Sequence, residues 1–421
     1  MHPHLTPAEK DLRASGPMCR LGGLGQLSHC SQYDFKERRG EYPAAQYSRL
    51  AHSVMCLGWM QRWLELQHVW RNGREATDYE AEVLRSAALL HDIGHPPYGH
   101  VMEPELPYDH ETRTREIILK GEISDTLRKG GMEPTDVVDA VGGNGAFGQL
   151  VNGQLDVDKI AYVYYDSMLS CLEFPFTRGN QPTDWGEEML KSMGLLDGEL
   201  VLYASDESRD DPCAHDGLIG ARHLLDSRTK LYIYLYGYEV NSKVATVMRN
   251  AVQVAKEGGG LEGKELFKMN DSNLAFLLED LPKTQPYMEK IKCNLPTTAV
   301  ATSIGSKQTA ELKRITGDRN KRLEFEERTG SILDLNPIAR APKGTFPVLF
   351  DGTKMTLSEA SDLYPTGGIS PIQREHETIL TRRLVAYTYG KPEQVGRKVC
   401  SELGIEGPEE LVNLPGFASD W

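Results

Sequence analysis

A chain of 421 residues with 39% hydrophobic and 26% charged side chains has the balance of an ordinary globular protein, sized for one large domain or two to three smaller ones. No apolar run approaches the roughly 18 residues of a membrane span, and the opening MHPHLTPAEKDLR lacks the apolar stretch of a secretory signal, so no membrane partner is expected. The net charge of −14 excludes strong, broad binding to duplex nucleic acid, and seven scattered cysteines without a CxxC pair point to reduced thiols in the cytoplasm.

From about Tyr47 to Tyr165 the apolar residues recur at helical spacing. YSRLAHSVMCLGWMQRWLEL predicts a helix with Leu50, Val54, Leu57 and Leu64 along its stripe. TDYEAEVLRSAALLHDIG opens with Thr77 and Glu80 at capping-box spacing and stops at Gly94. LDVDKIAYVYYDSMLSCL predicts a third helix. GELVLYASDE, Gly198–Glu207, reads as a strand or hairpin arm, and LIGARHLLDSRTKLYIYLYGYEV returns to helix. Beyond about Pro296, short β-like pieces such as TFPVLFDG and RRLVAYTYG alternate with Gly/Pro-rich loops such as YPTGGISP. The expected architecture is a mainly α body over residues 1–295 with a smaller mixed α/β lobe over 296–421.

The stretch LLHDIGHPPYGH, Leu89 to His100, holds three of the chain's 12 histidines and one aspartate. The vicinal His91 and Asp92 offer an imidazole nitrogen and a carboxylate oxygen, a pair suited to Mn, Fe, Zn or Mg. His52 on an earlier helix and Asp158 on a later one complete a two-His, two-Asp set that leaves positions open for water and substrate. Arg49 lies one turn before His52; Lys159, Tyr162 and Asp166 share a face beside Asp158; Arg228, Tyr232 and Tyr236 repeat the pattern. Taken singly, Arg49 and Lys159 read as solvated surface charges and the tyrosines as half-buried packing residues. Their recurrence beside each ligand is the combination a nucleotide needs.

QYSRLAHSVM, AALLHDIGHPPYGHVMEPE, DHET and LDVDKIAYVYYDS together resemble the HD-domain deoxynucleoside triphosphate triphosphohydrolases. The resemblance runs from CRLGGLGQL, near Arg20, through DSRTKLYIYLYGYE and fades after about residue 290. It implies an HD-domain helical bundle in which His52, His91, Asp92 and Asp158 hold a divalent metal. Arg49, Lys159 and Arg228 would contact phosphates, and His95, His100, Glu103 and His110 would line the catalytic edge. Tyr162 would pack against the deoxyribose, Asp166 and Tyr236 would bind its 3′-hydroxyl, Gln26 would lie near that side, and Tyr232 stands where the human family member has a histidine. The implied reaction is attack of metal-activated water on the α-phosphorus of a dNTP, releasing deoxynucleoside and triphosphate. His100 paired with Glu103 is the favoured proton donor to the leaving group, with His110 its rival. The implied partners are a dNTP substrate and further copies of the chain, as dimers to hexamers.

Departures limit the carry-over. Gly22 and Gly25 stand where the human member has basic residues for an activating nucleotide, and Tyr165, Gly237 and Tyr238 differ near the base. Neither nucleotide activation nor base preference is implied. Other readings are an HD phosphohydrolase acting on nucleoside monophosphates or cyclic nucleotides, a di-iron HD oxygenase, and a non-catalytic nucleotide-sensing protein.

Overall fold

The computed structural model of the chain describes residues 3–27, 47–67, 74–169, 184–204, 217–237, 239–293, 295–334, 345–363, 383–405 and 412–413. YPTGGISP, Tyr238 and residues 170–172 and 205–207 lie outside them. In chain order the elements begin with α1 (Pro7–Ala14), α2 (Gly16–Leu21), α3 (Arg49–Leu66), α4 (Asp78–Leu90) and α5 (His110–Leu119). Next come α6 (Gly121–Lys129), α7 (Pro134–Val141), α8 (Val157–Leu169), α9 (Asp184–Lys191), β1 (Met193–Leu196), β2 (Glu199–Ala204) and α10 (Gly217–Leu231). After them run α11 (Glu239–Glu257), α12 (Asp271–Asp280), α13 (Gln285–Cys293), β3 (Thr297–Ser303), α14 (Ser306–Thr316) and α15 (Arg319–Thr329). The series closes with β4 (Ile332–Leu333), β5 (Pro347–Phe350), β6 (Thr353–Thr356), α16 (Leu357–Asp362), β7 (Arg383–Thr388), α17 (Pro392–Glu402) and β8 (Val412–Asn413).

The fold is mainly helical, as the periodicity predicts, with two small four-stranded sheets among the described residues. The chain forms two compact units that interleave in sequence: residues 1–229, 264–272 and 342–371, and residues 230–263, 273–341 and 372–421. In the first unit the sheet order is β1-β2-β5-β6, with β2 and β5 parallel and the other pairs antiparallel. TFPVLFDG therefore supplies a strand beside GELVLYA, while RRLVAYTYG is the β7 strand of the second unit's sheet, β4-β7-β3-β8. That second sheet packs its Val300, Leu384 and Ala386 with Phe325 and Val399 of α15 and α17. Gly396 lets α17 lie on β3, because a Cβ there would sit 2.5 Å from the Ala299 carbonyl oxygen.

Three helices position the candidate site, and each starts with a local signal. The Ser48 hydroxyl accepts from the Ala51 N–H to open α3. Thr77 and Glu80 form the reciprocal capping box of α4, with Asp78 and Glu80 favourable at the positive end of the helix. The Asp156 carboxylate accepts from the Gly153 and Lys159 N–H groups, each at 2.8 Å, and so starts α8.

α3 departs from the expected stripe. Leu57 is buried, but Leu50, Val54 and Leu64 are half-buried, and the helix buries Arg49, His52, Ser53, Cys56, Met60 and Trp63. It packs against α4, α8 and α9, so more than one of its faces is covered. Arg49 and His52 on those faces are tolerated because they pair with Asp92 and Asp158.

Candidate active site

α4 ends at Leu90, so His91 and Asp92 leave the helix together, facing His52 of α3 and Asp158 in the first turn of α8. The turn that follows is fixed from three sides. The Arg20 guanidinium donates to the carbonyl oxygens of Ile93 at 2.9 Å and His95 at 2.8 Å. The Gly94 N–H donates to the Thr114 hydroxyl at 3.0 Å, which donates to the His91 carbonyl at 3.3 Å. Tyr98 and Gly99 both adopt positive φ, 57° and 51°, and the Tyr98 N–H donates to Asp271 at 2.8 Å.

The two histidines and two aspartates expected to act together are brought together. His52 Nε2 lies 2.8 Å from Asp158 Oδ1 and 3.9 Å from Asp92 Oδ2. His91 Nε2 lies 3.4 Å from Asp92 Oδ1 and 3.6 Å from Asp158 Oδ1. On its far side, His91 Nδ1 lies 2.9 Å from the Ala88 carbonyl oxygen, which commits that nitrogen as a donor and aims Nε2 at the carboxylates. Burial would depress the His91 pKa, but the charges of Asp92 and Asp158 outweigh it and raise it to about 9. Burial would likewise raise both aspartates; His91, His95 and Arg49 hold Asp92 well below the carboxylate range, and His52 and His91 do the same for Asp158.

This arrangement fits a divalent metal. His91 Nε2 is buried without a hydrogen-bond partner among the described residues, and two imidazoles with two carboxylates form a donor set for Mn, Fe, Zn or Mg. One further donor escapes the sequence pattern. Cys56 Sγ lies 3.5 Å from His52 Nε2, and His52, Cys56, His91 and Asp158 each bring a donor atom within 4.8 Å of the others. Its signal is the one-turn spacing from His52.

A second group lies beside the first. His95 Nε2 is 3.3 Å from Asp92 Oδ1, and the His95 ring stacks on that of His110. Glu103 receives His100 Nδ1 on one oxygen, at 3.1 Å, and His110 Nδ1 on the other. Burial and the neighbouring Arg49 charge hold the His95 pKa well below its usual value.

The cations expected to meet phosphate are engaged by neighbours. Arg49 pairs with Asp92 at 2.6 Å, and Lys159 with Asp156 at 2.6 Å. Asp156 lies within LDVDK but outside the expected ligand set; its role as helix cap and lysine partner explains its place. Arg228 Nε donates to the Tyr162 hydroxyl at 2.8 Å, and the Tyr47 hydroxyl donates to Asp166 at 2.5 Å. The Gln26 N–H donates to the Tyr47 carbonyl, while its side-chain oxygen is buried without a partner among the described residues. Tyr232 and Tyr236 belong to the second unit, in a π-helical turn, with ring centroids 4.9 Å apart.

Residues 49–147 match the HD domain family. The matched segment holds Arg49, His52, His91, Asp92, His95, His100, Glu103 and His110, and Asp158 lies beyond it. The uncharacterized protein YwfO of Bacillus subtilis is 26% identical over 221 residues, covering 51% of this chain and 46% of that protein. A deoxyguanosinetriphosphate triphosphohydrolase-like protein of Jannaschia sp. is 32% identical over 123 residues, 27% of each chain. The chain thus spans about half the length, or less, of these curated relatives. The crystal structure of a phosphohydrolase from Bacteroides thetaiotaomicron shares the fold, with a TM-score of 0.65 at 18% identity over 93% of this chain and 97% of that one. His52, His91 and Asp92 of the assembled His/Asp set thus lie within the segment similar to an HD domain. No described helix is long and apolar enough to cross a membrane.

Proposed function

We propose that the protein hydrolyses deoxynucleoside triphosphates to deoxynucleoside and inorganic triphosphate. The observation that carries this reading is the contact of Asp92 with His95 at 3.3 Å, which joins a metal-type His/Asp cluster to a His/Glu edge. A joined metal centre and proton-transfer edge are the two parts that hydrolysis of a phosphoester at its leaving oxygen requires. The likeness to a triphosphohydrolase-like protein of Jannaschia and to a Bacteroides phosphohydrolase supports the same chemistry.

His52, His91, Asp92 and Asp158 would hold the divalent ion. Once bound, it polarises a phosphoryl oxygen and acidifies water. Arg49, 2.6 Å from Asp92, would hold that carboxylate in the ionised form a metal ligand needs. Lys159, steadied by Asp156, and Arg228, steadied by the Tyr162 hydroxyl, supply the charge that a triphosphate needs in an otherwise acidic chain. Glu103 orients two imidazoles as proton donors to the leaving oxygen. Sequence spacing favours His100, but its side chain is 57% exposed, against 16% for His110. His110, packed on the buried His95, is the better-held donor.

The sugar would lie against Tyr162, with Asp166 and the Gln26 oxygen, which has no partner among the described residues, available to its 3′-hydroxyl and Tyr47 fixing Asp166. Incubation of the full chain with each of the four dNTPs and Mn, Mg, Fe or Zn tests the reading. Triphosphate and deoxynucleoside in equal amounts are expected. Pyrophosphate or orthophosphate as the primary product would count against it.

A further inference from the structure

The second His/Glu group has the composition of a metal site in its own right. His95, His100, Glu103 and His110 each bring one donor atom within 4.8 Å of the others, outside the two-His, two-Asp set. His95 is 1% exposed, and its Nδ1 has no hydrogen-bond partner among the described residues, although Nε2 faces Asp92. A buried imidazole nitrogen with nothing to bond is a lone pair or a proton without a recipient. The two Glu103 oxygens are each met by an imidazole nitrogen, contacts that depend on shared protons and that a cation can replace.

Donor type and number narrow the ion. Three imidazoles and one carboxylate suit zinc in four-coordinate geometry; magnesium and calcium prefer shells of oxygen. Exposure falls from 57% at the His100 side chain through 16% at His110 to 1% at His95, so the group also has an entry path from solvent. We propose that His95, His100, Glu103 and His110 form a second divalent-cation site that takes zinc, separate from the His52/His91/Asp92/Asp158 centre. Because the proposed function assigns proton delivery to Glu103 and its two histidines, zinc at this site would inhibit turnover.

The test counts zinc on the full chain, stripped of metal and dialysed against zinc alone. Two equivalents are expected for the wild type, and one each for Asp158→Ala and for the His100→Ala/His110→Ala double variant. A single equivalent in the wild type, or two in the double variant, overturns the second site. If the double variant does not fold, Glu103→Gln keeps the side chain's shape and is expected to weaken the second zinc at least tenfold; unchanged affinity overturns the proposal equally. The zinc count is independent of catalysis. Two equivalents without dNTP turnover under any metal would sink the functional reading and leave the site standing. With turnover present and the first centre filled by manganese, activity is expected to fall with the midpoint of the second zinc, and activity untouched by that zinc contradicts the inhibitory role.

Discussion

The imidazole of His110 lies flat against that of His95, with ring centroids 3.9 Å apart and planes 13° from parallel. His95 in turn touches Asp92, so the stack runs from the buried metal-type centre to a partly exposed histidine. Burial and the Arg49 charge keep His95 neutral at ordinary pH. A neutral ring is the platform on which His110 can carry a proton without two cations in contact. Removing His110 should therefore cost about 10²–10⁴ in kcat, the usual worth of a general acid, while the ion of the His52/His91/Asp92/Asp158 centre is retained. His100→Ala should lose less than about tenfold, within a weak hydrogen bond's worth. Parallel kcat, KM and metal measurements on the two variants check the ranking; a larger loss in His100→Ala reverses it.

Metal uptake should be coupled to protons with a defined sign. In the metal-free protein the His91 pKa is raised to about 9, so His91 is protonated at neutral pH, and a cation must displace that proton. Asp92 and Asp158 are held well below the usual range and contribute no protons near neutrality. Apparent metal affinity should rise about tenfold per pH unit from neutrality towards 9 and flatten above it. Calorimetry at pH 7 in buffers of different ionisation enthalpy should find about one proton released per ion at this centre. Affinity independent of pH over that range would contradict the assignment of His91.

Much of this centre was legible, and the reason is chemical. His91 and Asp92 stand out because adjacent ligand types are rare in a packed core, and Thr77 with Glu80 gives the helix start that places them. The face of α3 was not legible. A hydrophobic period ranks Leu50 and Val54 above Arg49 and His52, because it does not register polar side chains that are buried by pairing. Cys56 escaped for the opposite reason, since one cysteine among apolar residues reads as packing. Strand partners were hidden too. TFPVLFDG looks β-like on sequence, but nothing local says that it pairs in parallel with Glu199–Ala204.

Sugar selection should follow from Tyr162 and Asp166. Asp166 is 1% exposed and held by the Tyr47 hydroxyl, and the Tyr162 hydroxyl is tied to Arg228, so neither side chain is free to give way. A 2′-hydroxyl pressed against such a wall is clashing or unpaired. A preference of about 10–100-fold in kcat/KM for dATP over ATP is expected. Equal values for the two nucleotides would remove the sugar from this position.

Gly94 has no room for a side chain. A Cβ there would lie 2.3 Å from the His110 carbonyl oxygen and 2.4 Å from the Thr114 nitrogen. Gly94→Ala should destabilise the protein by about 1–3 kcal/mol through overpacking, and should lower kcat by displacing the start of α5. Urea unfolding midpoints compared with wild type check this; an unchanged midpoint and kcat would show that the turn is looser than its contacts indicate.

The most direct test of the central claim is one turnover of a dNTP in heavy-oxygen water, with wild-type protein and Asp158→Ala loaded under the same metal conditions. Attack at the α-phosphorus breaks its bond to the 5′-oxygen, so the label must appear in the released triphosphate and not in the deoxynucleoside. Asp158→Ala, which removes one of four ligands, should give no product and should lose the ion of the His52/His91/Asp92 centre. Label in the deoxynucleoside, or full turnover and metal content in Asp158→Ala, would contradict the account.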